Sequence, residues 1–320
     1  MALHRPTGRW QLGLSLSLLT ACMWGALPIA LDVTLERMDA LTITWYRFVV
    51  SAVLLGSYLA ARGQLPGLRG HPSSVYLLLL VAVLGLGSNY VLYILGLERT
   101  SPEAAQVMIQ LAPASAMLGF LFFFRERFSR IQWLGLLVMA SGMLLFLHDR
   151  LGEVFLGLGR YTAGVALLGA AAVTWAAYAL AQKQLLHFMS SAAVLVVIYC
   201  GSTLLLLPGA APAQILDLGP LRLWLLAFCA LNTIVAYGAF SEALAHWEAS
   251  RVSAVISMTP LATLLMAGIG SALWPQVVPA EELSPLACAG AVLVVAGSMA
   301  AALGKARTED QEPPMPPGVE

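Results

Sequence analysis

The sequence predicts an all-α membrane protein in which ten transmembrane helices form two inverted five-helix repeats. Three observations lead to this prediction. The composition is too apolar for a surface that faces water, ten apolar runs have about the length of a membrane span, and the second half of the chain repeats proline and polar positions of the first half.

The composition excludes the soluble and the disordered classes. Of the 320 residues, 59% are hydrophobic and 11% are charged, whereas soluble proteins carry roughly 25% charged residues. Disordered chains are poor in apolar residues. The 17 basic and 17 acidic residues give a formal net charge of zero, so we expect no field that would attract a nucleic acid. The class that remains is an integral membrane protein with many spans in the lipid bilayer.

Ten apolar stretches follow one another along the chain, each close to the roughly 20 residues of helix that cross a bilayer core. They are continuously apolar and do not alternate, which favours helices over a barrel. The first stretch has no small-x-small cleavage site before its polar flank, so we interpret it as a retained span and not as a signal peptide. The predicted spans are residues 12–31, 41–61, 75–95, 104–124, 131–147, 161–181, 190–207, 221–244, 252–274 and 286–303.

The loop charges orient these spans, because cytoplasmic loops carry an excess of Lys and Arg. With the N-terminus in the cytoplasm, the inside segments hold eleven basic residues and the outside segments five. Both ends are then cytoplasmic, and the charged and proline-rich tail, residues 304–320, is predicted to be disordered. The inside set is Arg5, Arg9, Arg62, Arg69, Arg125, Arg127, Arg130, Lys183, Arg251, Lys305 and Arg307; the outside set is Arg37, Arg99, Arg150, Arg160 and Arg222.

An internal repeat relates the two halves of the chain. The fourth and ninth spans align at a constant offset of 147 residues, the separation of Pro113 and Pro260. Residues 12–148 and 160–303 are therefore predicted to be two copies of one five-helix unit. The aligned residues are Tyr90 with Tyr237, Gln106 with Ser253, Ile109 with Ile256, Gln110 with Ser257, Trp24 with Trp175, and Gly135 and Gly142 with Gly290 and Gly297.

The odd number of spans in this unit has a topological consequence. It places the second copy upside down relative to the first. Inverted repeats are the architecture of alternating-access carriers, whose substrate site lies near the bilayer midplane between the halves. The alternative is a set of unrelated helices that share only a composition.

The order and spacing of these motifs resemble the drug/metabolite transporter superfamily, specifically its EamA-type exporters. The resemblance covers about residues 12–303. It implies a ten-helix exporter of small metabolites or amino acids, driven by protons or another gradient, and it does not fix the substrate. It rests on Trp24-Gly25, Arg47-Phe48, Leu111-Ala112-Pro113, Arg125-Glu126-Arg127, Gly135 and Gly142 in the first copy, and on Trp175, Met258-Thr259-Pro260, Glu281, Gly290 and Gly297 in the second.

One segment departs from the family pattern. The stretch from Ser271 to Ala280 makes the spacing between Pro260 and Glu281 21 residues, against 13 between Pro113 and Glu126. The resemblance implies nothing about the role of this loop. For the whole chain we expect a bacterial inner (plasma) membrane protein that acts as a monomer or homodimer on a small-molecule solute.

The sequence contains no motif that would indicate an enzyme. It has no GxSxG, no HExxH and no Walker lysine after a glycine loop, and its four cysteines lie in apolar runs without a CxxC pair. A membrane-embedded enzyme would need a cluster of His, Asp or Glu within the spans. We therefore expect no catalytic residue, no metal site and no cofactor.

Polar residues on the fourth and ninth spans predict the substrate site. Gln106 and Gln110 share one helix face with Pro113, and Ser257 lies on the equivalent face beside Pro260. A proline within a helix displaces the carbonyl four residues back, so the freed carbonyls are expected to need a solute or water. Two interpretations stay open: a substrate cavity with Pro113 and Pro260 as hinges, or a kink with interhelical hydrogen bonds.

Other spans place further polar and aromatic groups at helical spacing. Together they would form an aromatic cavity with a few amide and hydroxyl groups, which suits a neutral, zwitterionic or partly apolar solute. For each of these residues, packing is an equal alternative. The additional candidates for substrate binding are Trp24, Asn89, Tyr93, Trp175, Tyr178, Asn232 and Tyr237.

Arg47 is the one basic residue clearly within a predicted span. An ionisable group inside a membrane is a candidate for function. Arg47 lies about six residues from the outer end of its helix, roughly 9 Å at 1.5 Å per residue, so snorkelling to the interface is the alternative. No acidic residue occupies a midspan position, which leaves any ionic coupling to Asp32, Glu98 or Glu242 near the span ends.

These observations predict a secondary transporter that exports a small organic metabolite, an amino acid or a drug-like solute, by alternating access. Two other functions stay open at this point. A carrier of nucleotide sugars or phosphorylated metabolites would need several inward cationic residues. A non-transporting membrane scaffold would need no site at all.

The charge asymmetry predicts the position of both termini. Reporter fusions after Arg62 and after Lys305 should both give a cytoplasmic signal, because eleven basic residues lie on the side that these positions share. A fusion after Arg160 provides the outside control. A periplasmic signal at either of the first two positions contradicts the orientation.

Overall fold

The computed structural model describes residues 9–124, 128–157 and 159–304. All regular elements in these ranges are helical, as the sequence predicts. The motif Arg125-Glu126-Arg127 and the predicted tail, beyond Gly304, lie outside the described residues. The helices are α1 Trp10–Leu35, α2 Ala40–Ala61, α3 Ser73–Leu97, α4 Pro102–Met108, α5 Leu111–Phe124, α6 Arg130–Phe146, α7 Leu151–Leu156, α8 Arg160–Leu185, α9 Ser191–Leu206, α10 Pro220–His246, α11 Ala249–Ile256, α12 Thr259–Leu273 and α13 Pro285–Leu303.

Short polar side chains determine where many of the helices begin. The Asp39 carboxylate accepts hydrogen bonds from the backbone N–H groups of Leu41 and Thr42. Burial raises the pKa of Asp39, but the hydrogen bonds from Thr42, Gln214 and Leu41 outweigh it and hold that pKa below its usual range. Such caps supply partners for N–H groups that have none within the helix. Serine caps begin four other helices: Ser101 for α4, Ser129 for α6, Ser190 for α9 and Ser284 for α13.

Several helices are long and apolar enough to cross a membrane. Within the described ranges there are eight such spans if Arg251–Leu273 is counted as one across the short break between α11 and α12, or nine if Arg130–Phe146 and His148–Val154, which meet at a 58° bend, also form one span. The predicted class of a multispanning helical protein is confirmed. The number of ten stays a prediction, because residues 102–124 form two shorter helices.

The fourth and ninth predicted spans are interrupted helices. α4 ends at Met108 and α5 begins at Leu111, while α11 ends at Ile256 and α12 begins at Thr259. Pro113 and Pro260 therefore lie in the first turns of α5 and α12, where an N–H has no helical partner to lose. The prediction of a proline inside a continuous helix was wrong, because each helix stops before its proline and a new one begins there.

The main helix contacts join the first half of the chain to the second. α3 packs along α8, α1 along α10, α6 along α13 and α2 along α9. The sequence repeat relates α1 to α8, α2 to α9, α3 to α10 and α6 to α13. When each helix is exchanged for its partner, the α3–α8 pair becomes the α10–α1 pair, and the α2–α9 and α6–α13 pairs become themselves, so the set of packed pairs is unchanged. This is the contact pattern that a duplicated chain predicts.

The aligned glycines of the repeat lie where α6 crosses α13. A Cβ added to Gly142 would lie 2.6 Å from the Val294 amide nitrogen and 2.8 Å from the Gly290 carbonyl oxygen, and one added to Gly135 would lie 2.7 Å from the Gly297 carbonyl oxygen. The two backbones touch at these points. Small residues allow this approach, which strengthens dispersion contacts between membrane helices.

This contact predicts opposite effects for two identical substitutions. Gly142→Ala should destabilise the protein by about 1–3 kcal/mol, since the methyl group meets backbone and forces the helices apart. Gly169 lies inside α8 with no atom near an added Cβ, so Gly169→Ala should be neutral or stabilising by up to about 1 kcal/mol. Thermal unfolding of the purified variants measures both. Equal melting temperatures would contradict the close α6–α13 contact.

Candidate functional site

The breaks of the two interrupted helices meet inside the bundle. The Gln110 side chain, 8% exposed, follows α4, and its Nε2 donates a hydrogen bond to the Ser257 carbonyl oxygen at 3.2 Å. Ser257 follows α11, and its hydroxyl donates to the Ser253 carbonyl at 2.9 Å. Two residues that align in the sequence repeat thus contact each other, and in this conformation the Gln110 amide is occupied by protein.

The carbonyls before the breaks already have partners. The Ile109 carbonyl accepts a hydrogen bond from the Ala112 N–H at 2.8 Å, and the Ile256 carbonyl accepts one from the Thr259 hydroxyl. The expectation that these carbonyls need a solute or water was wrong. The physical reason is local: the chain turns tightly between the two half-helices and satisfies its own carbonyls within three residues.

Two other predicted site residues bind each other. The Tyr93 hydroxyl donates a hydrogen bond to Gln106 Oε1 at 3.1 Å, and both side chains are buried. This contact lies within the first half of the chain and joins α3 to α4.

The two predicted asparagines form interhelical bonds. Asn89 Nδ2 donates to the Ala171 carbonyl at 2.8 Å and joins α3 to α8, while Asn232 Nδ2 donates to the Met23 carbonyl at 2.6 Å and joins α10 to α1. These helix pairs are equivalent in the repeat. Both amides serve packing in this conformation, although the Asn232 Oδ1 atom is buried without a hydrogen-bond partner among the described residues.

Arg47 is buried inside the helix bundle. Only 3% of its surface is exposed, its guanidinium lies 4.4 Å from the centroid of the Tyr90 ring, and its Nε donates to the Thr233 hydroxyl at 3.3 Å. The snorkelling interpretation was wrong, because these contacts to α3 and α10 hold the side chain inside the bundle. Among the described residues, no carboxylate forms an ion pair with it.

Aromatic rings on neighbouring helices pack against one another. Trp24 packs edge-to-face on Tyr237, with ring centroids 5.3 Å apart, and also contacts Phe240. Trp175 packs on Tyr178, with ring centroids 6.3 Å apart. The structure thus pairs four of the predicted aromatic residues, Trp24 with Tyr237 and Trp175 with Tyr178.

Two further aromatic residues near Arg47 and Tyr90 were not identified from the sequence. Phe48 and Tyr199 are fully buried, and Phe48 packs on two rings, with its centroid 4.9 Å from that of Tyr90 and 6.0 Å from that of Tyr199. The adjacent Arg47-Phe48 pair was the available signal for Phe48, whereas nothing in the sequence near Tyr199 indicates its position.

This arrangement can bind an anionic group beside an apolar body. A buried guanidinium that lacks a carboxylate partner is costly to desolvate and gains from an anion. Aromatic faces beside it accept apolar groups or cations.

Comparison with known proteins gives two matches to one family. The model of the EamA-like transporter family matches residues 11–148 and 162–303, so the family motif occurs twice. The chain is also similar to a solved structure titled "Crystal structure of protein", with a TM-score of 0.63 at 18% identity over 90% of this chain and 96% of that one. This likeness shows the fold alone.

Curated relatives cover nearly the whole chain. The "Uncharacterized inner membrane transporter YhbE" of Escherichia coli K12 is 41% identical over 294 residues, 92% of each chain. An "Uncharacterized transporter" of Haemophilus influenzae is 38% identical over 92% of this chain and 95% of its own length. A "Probable amino-acid metabolite efflux pump" of Salmonella typhimurium is 24% identical over 88% of this chain and 92% of its own.

The buried contact between Gln110 and Ser257 gives a test of the predicted site. If this contact opens in another conformation, Gln110→Cys, made in a variant without the four native cysteines, should react with a water-soluble thiol reagent. Leu97→Cys, at a fully buried core position, should not react. Absence of labelling at position 110, both with and without a panel of amino acids, would show that Gln110 does not line a pathway.

Proposed function

The chain belongs to the EamA-like transporter family, and on this premise we propose that it is a secondary transporter that exports a small organic metabolite across the inner membrane by alternating access. Its relatives are named as inner-membrane transporters and as efflux pumps. The substrate class that we propose is a small solute with a carboxylate, such as an amino acid or an amino-acid derivative.

The repeated architecture supports alternating access. Two five-helix units would lie in opposite orientations around a pseudo-two-fold axis in the membrane plane, with ten spans and both termini cytoplasmic. Half-helices that end near the middle of the bundle are typical of transporter binding sites. The Gln110–Ser257 contact joins the two units where their interrupted helices meet, so in this proposal it closes one side of the pathway and opens when the units rock.

Arg47 is the single observation that carries the substrate class. It is the one basic residue among the buried side chains that the structure describes, and its present partners, a hydroxyl and a ring face, leave its charge without an anion. A solute carboxylate would supply that anion, while Trp24 and Tyr237 would contact the rest of the solute. A phosphorylated solute would need further cations, which the described buried residues do not supply.

Replacing Arg47 tests this assignment. Arg47→Gln should weaken transport of the solute about 10- to 100-fold, because a charge-assisted hydrogen bond to a carboxylate contributes about 1.5–3 kcal/mol. Arg47→Lys should restore part of the transport, since it keeps the charge but loses the planar contact with Tyr90. Counterflow of radiolabelled amino acids into proteoliposomes measures each variant.

The matched control is Arg62→Gln. Arg62 also lies over a tyrosine ring, that of Tyr58 at 5.3 Å, but it is exposed at a helix end and should transport as the native protein does. Equal transport by Arg47→Gln would exclude Arg47 as a substrate ligand. Flux of sugar phosphates alone would favour the phosphorylated-metabolite carrier, and absence of flux for every solute would favour the scaffold.

A further inference from the structure

A second polar site lies at one end of the bundle, away from Arg47. It is a cavity of about 230 Å³ between the end of α1, the beginning of α4, α12 and the loop before α13. Three ionisable residues line it, Asp32, Glu103 and Glu281, and all three are acidic. In the predicted orientation this end faces the outside.

Glu103 is the unusual residue of this cavity. Its side chain is 6% exposed, and its Oε2 atom is buried without a hydrogen-bond partner among the described residues. Glu281 lines the same cavity. Two neighbouring carboxyl groups can share a hydrogen bond only when one of them carries a proton. Glu281 itself is exposed, so water has access to the pair from its side.

The charges around Glu103 do not neutralise it. Asp32 lies on α1, Glu281 and Glu282 lie in the loop, and α12 contributes no ionisable residue between Thr259 and Leu273. Nearby basic groups are engaged elsewhere: Arg99 with Glu98, Arg222 with Glu36, Arg150 with Glu153 and with the Tyr161 ring, and Arg160 with the Glu98 carbonyl. Tyr161 at the start of α8 also lies within electrostatic reach of Glu281.

We propose that Glu103 and Glu281, with Asp32 beside them, form a proton-binding site at the outer end of the protein. One proton shared between the two carboxyl groups removes the repulsion of two neighbouring negative charges, one of them buried. Loss of that proton leaves two facing carboxylates and separates the loop before α13 from the start of α4. The described residues contain no group of three His, Cys, Asp or Glu placed to hold a metal ion.

The position of this site links the two halves. Glu103 begins the interrupted helix of the first half, and Glu281 follows the interrupted helix of the second. Protonation would therefore hold a contact between the halves on the side opposite the cytoplasm. A role in coupling, in which the outer proton exchanges with the exported solute, rests on the proposed function.

Infrared spectroscopy of the purified protein tests the proton site without any solute. A pH titration of the carbonyl stretch of protonated carboxyl groups should show a band that persists at neutral pH. Glu103→Gln should abolish this band. Glu281→Gln should shift its titration to lower pH, because the neighbouring negative charge is gone, and Asp32→Asn should shift it less in the same direction.

Glu282→Gln is the matched control, since Glu282 is an exposed neighbour in the same loop and does not line the cavity; its titration should be native. A band that survives in Glu103→Gln, or a titration that does not move in Glu281→Gln, overturns the proposal. If Glu103→Gln fails to fold, Glu103→Asp replaces it in the test. This variant keeps a carboxyl group, so the band should remain but titrate at a different pH. An unchanged titration in Glu103→Asp overturns the proposal.

Transport assays separate this proposal from the proposed function. With an inward proton gradient, export flux in the native protein should accelerate, and Glu103→Gln should lose that acceleration while retaining solute counterflow. If no solute is transported at all, the proposed function fails while the infrared titration still decides the proton site. Acceleration that persists in Glu103→Gln would exclude a coupling role for the pair.

Discussion

The structure depends on one constraint: in hydrocarbon, every polar group must find its partner within the protein. Buried threonines and serines meet it by donating to the carbonyl one turn back, as Ser17, Thr34 and Thr44 do at 2.7 Å. Amides meet it across helices, as Asn89 and Asn232 do. Some buried atoms lack such a partner among the described residues, including Ser51 Oγ, Ser202 Oγ and Asn232 Oδ1. Arg47 and Glu103 stand apart as functional candidates because, among the buried polar side chains that the structure describes, they are the ones that can carry a charge.

Much of the fold follows from the sequence, because span length and apolar composition are local properties. The positions of most helices were predictable from spacing alone. Spacing also aligned Gly142 with Gly297, but the close contact of Gly142 with Gly290 appears only in the structure. The breaks at Ile109–Gln110 and at Ser257–Met258 were not predictable. No glycine or proline lies at either break, and a proline three or fewer residues later is equally compatible with a kink. Only the backbone of the folded chain shows that the helices are interrupted there.

The site was predictable in composition but not in geometry. Periodicity placed Gln106, Gln110 and Tyr93 on inward faces correctly, since lipid disfavours such groups. It could not show that Tyr93 binds Gln106, or that Gln110 binds the residue aligned with it in the repeat. The position of Arg47 in the sequence, near the predicted outer end of its helix, was compatible with a side chain that reaches the membrane interface. Its partners Tyr90 and Thr233 are far away in sequence, as Glu281 is from Glu103, and such pairings emerge only when the helices pack.

The two proposed sites, Arg47 and the outer carboxylates, would bind ligands of opposite charge. A buried guanidinium held by a ring face and a single 3.3 Å hydrogen bond is stabilised by an anion, whereas two facing carboxylates are stabilised by a proton. If the two proposals hold, each site would bind its ligand by relieving a charge that the low-dielectric interior penalises. Loss of either ligand would restore the unfavourable charge, so release is opposed unless the surroundings of that charge change. A protein with both sites would change conformation when one ligand leaves. In this proposal the interrupted helices take part, because Glu103 lies on α4, which ends before Gln110, and α12, which begins after Ser257, lines the same cavity.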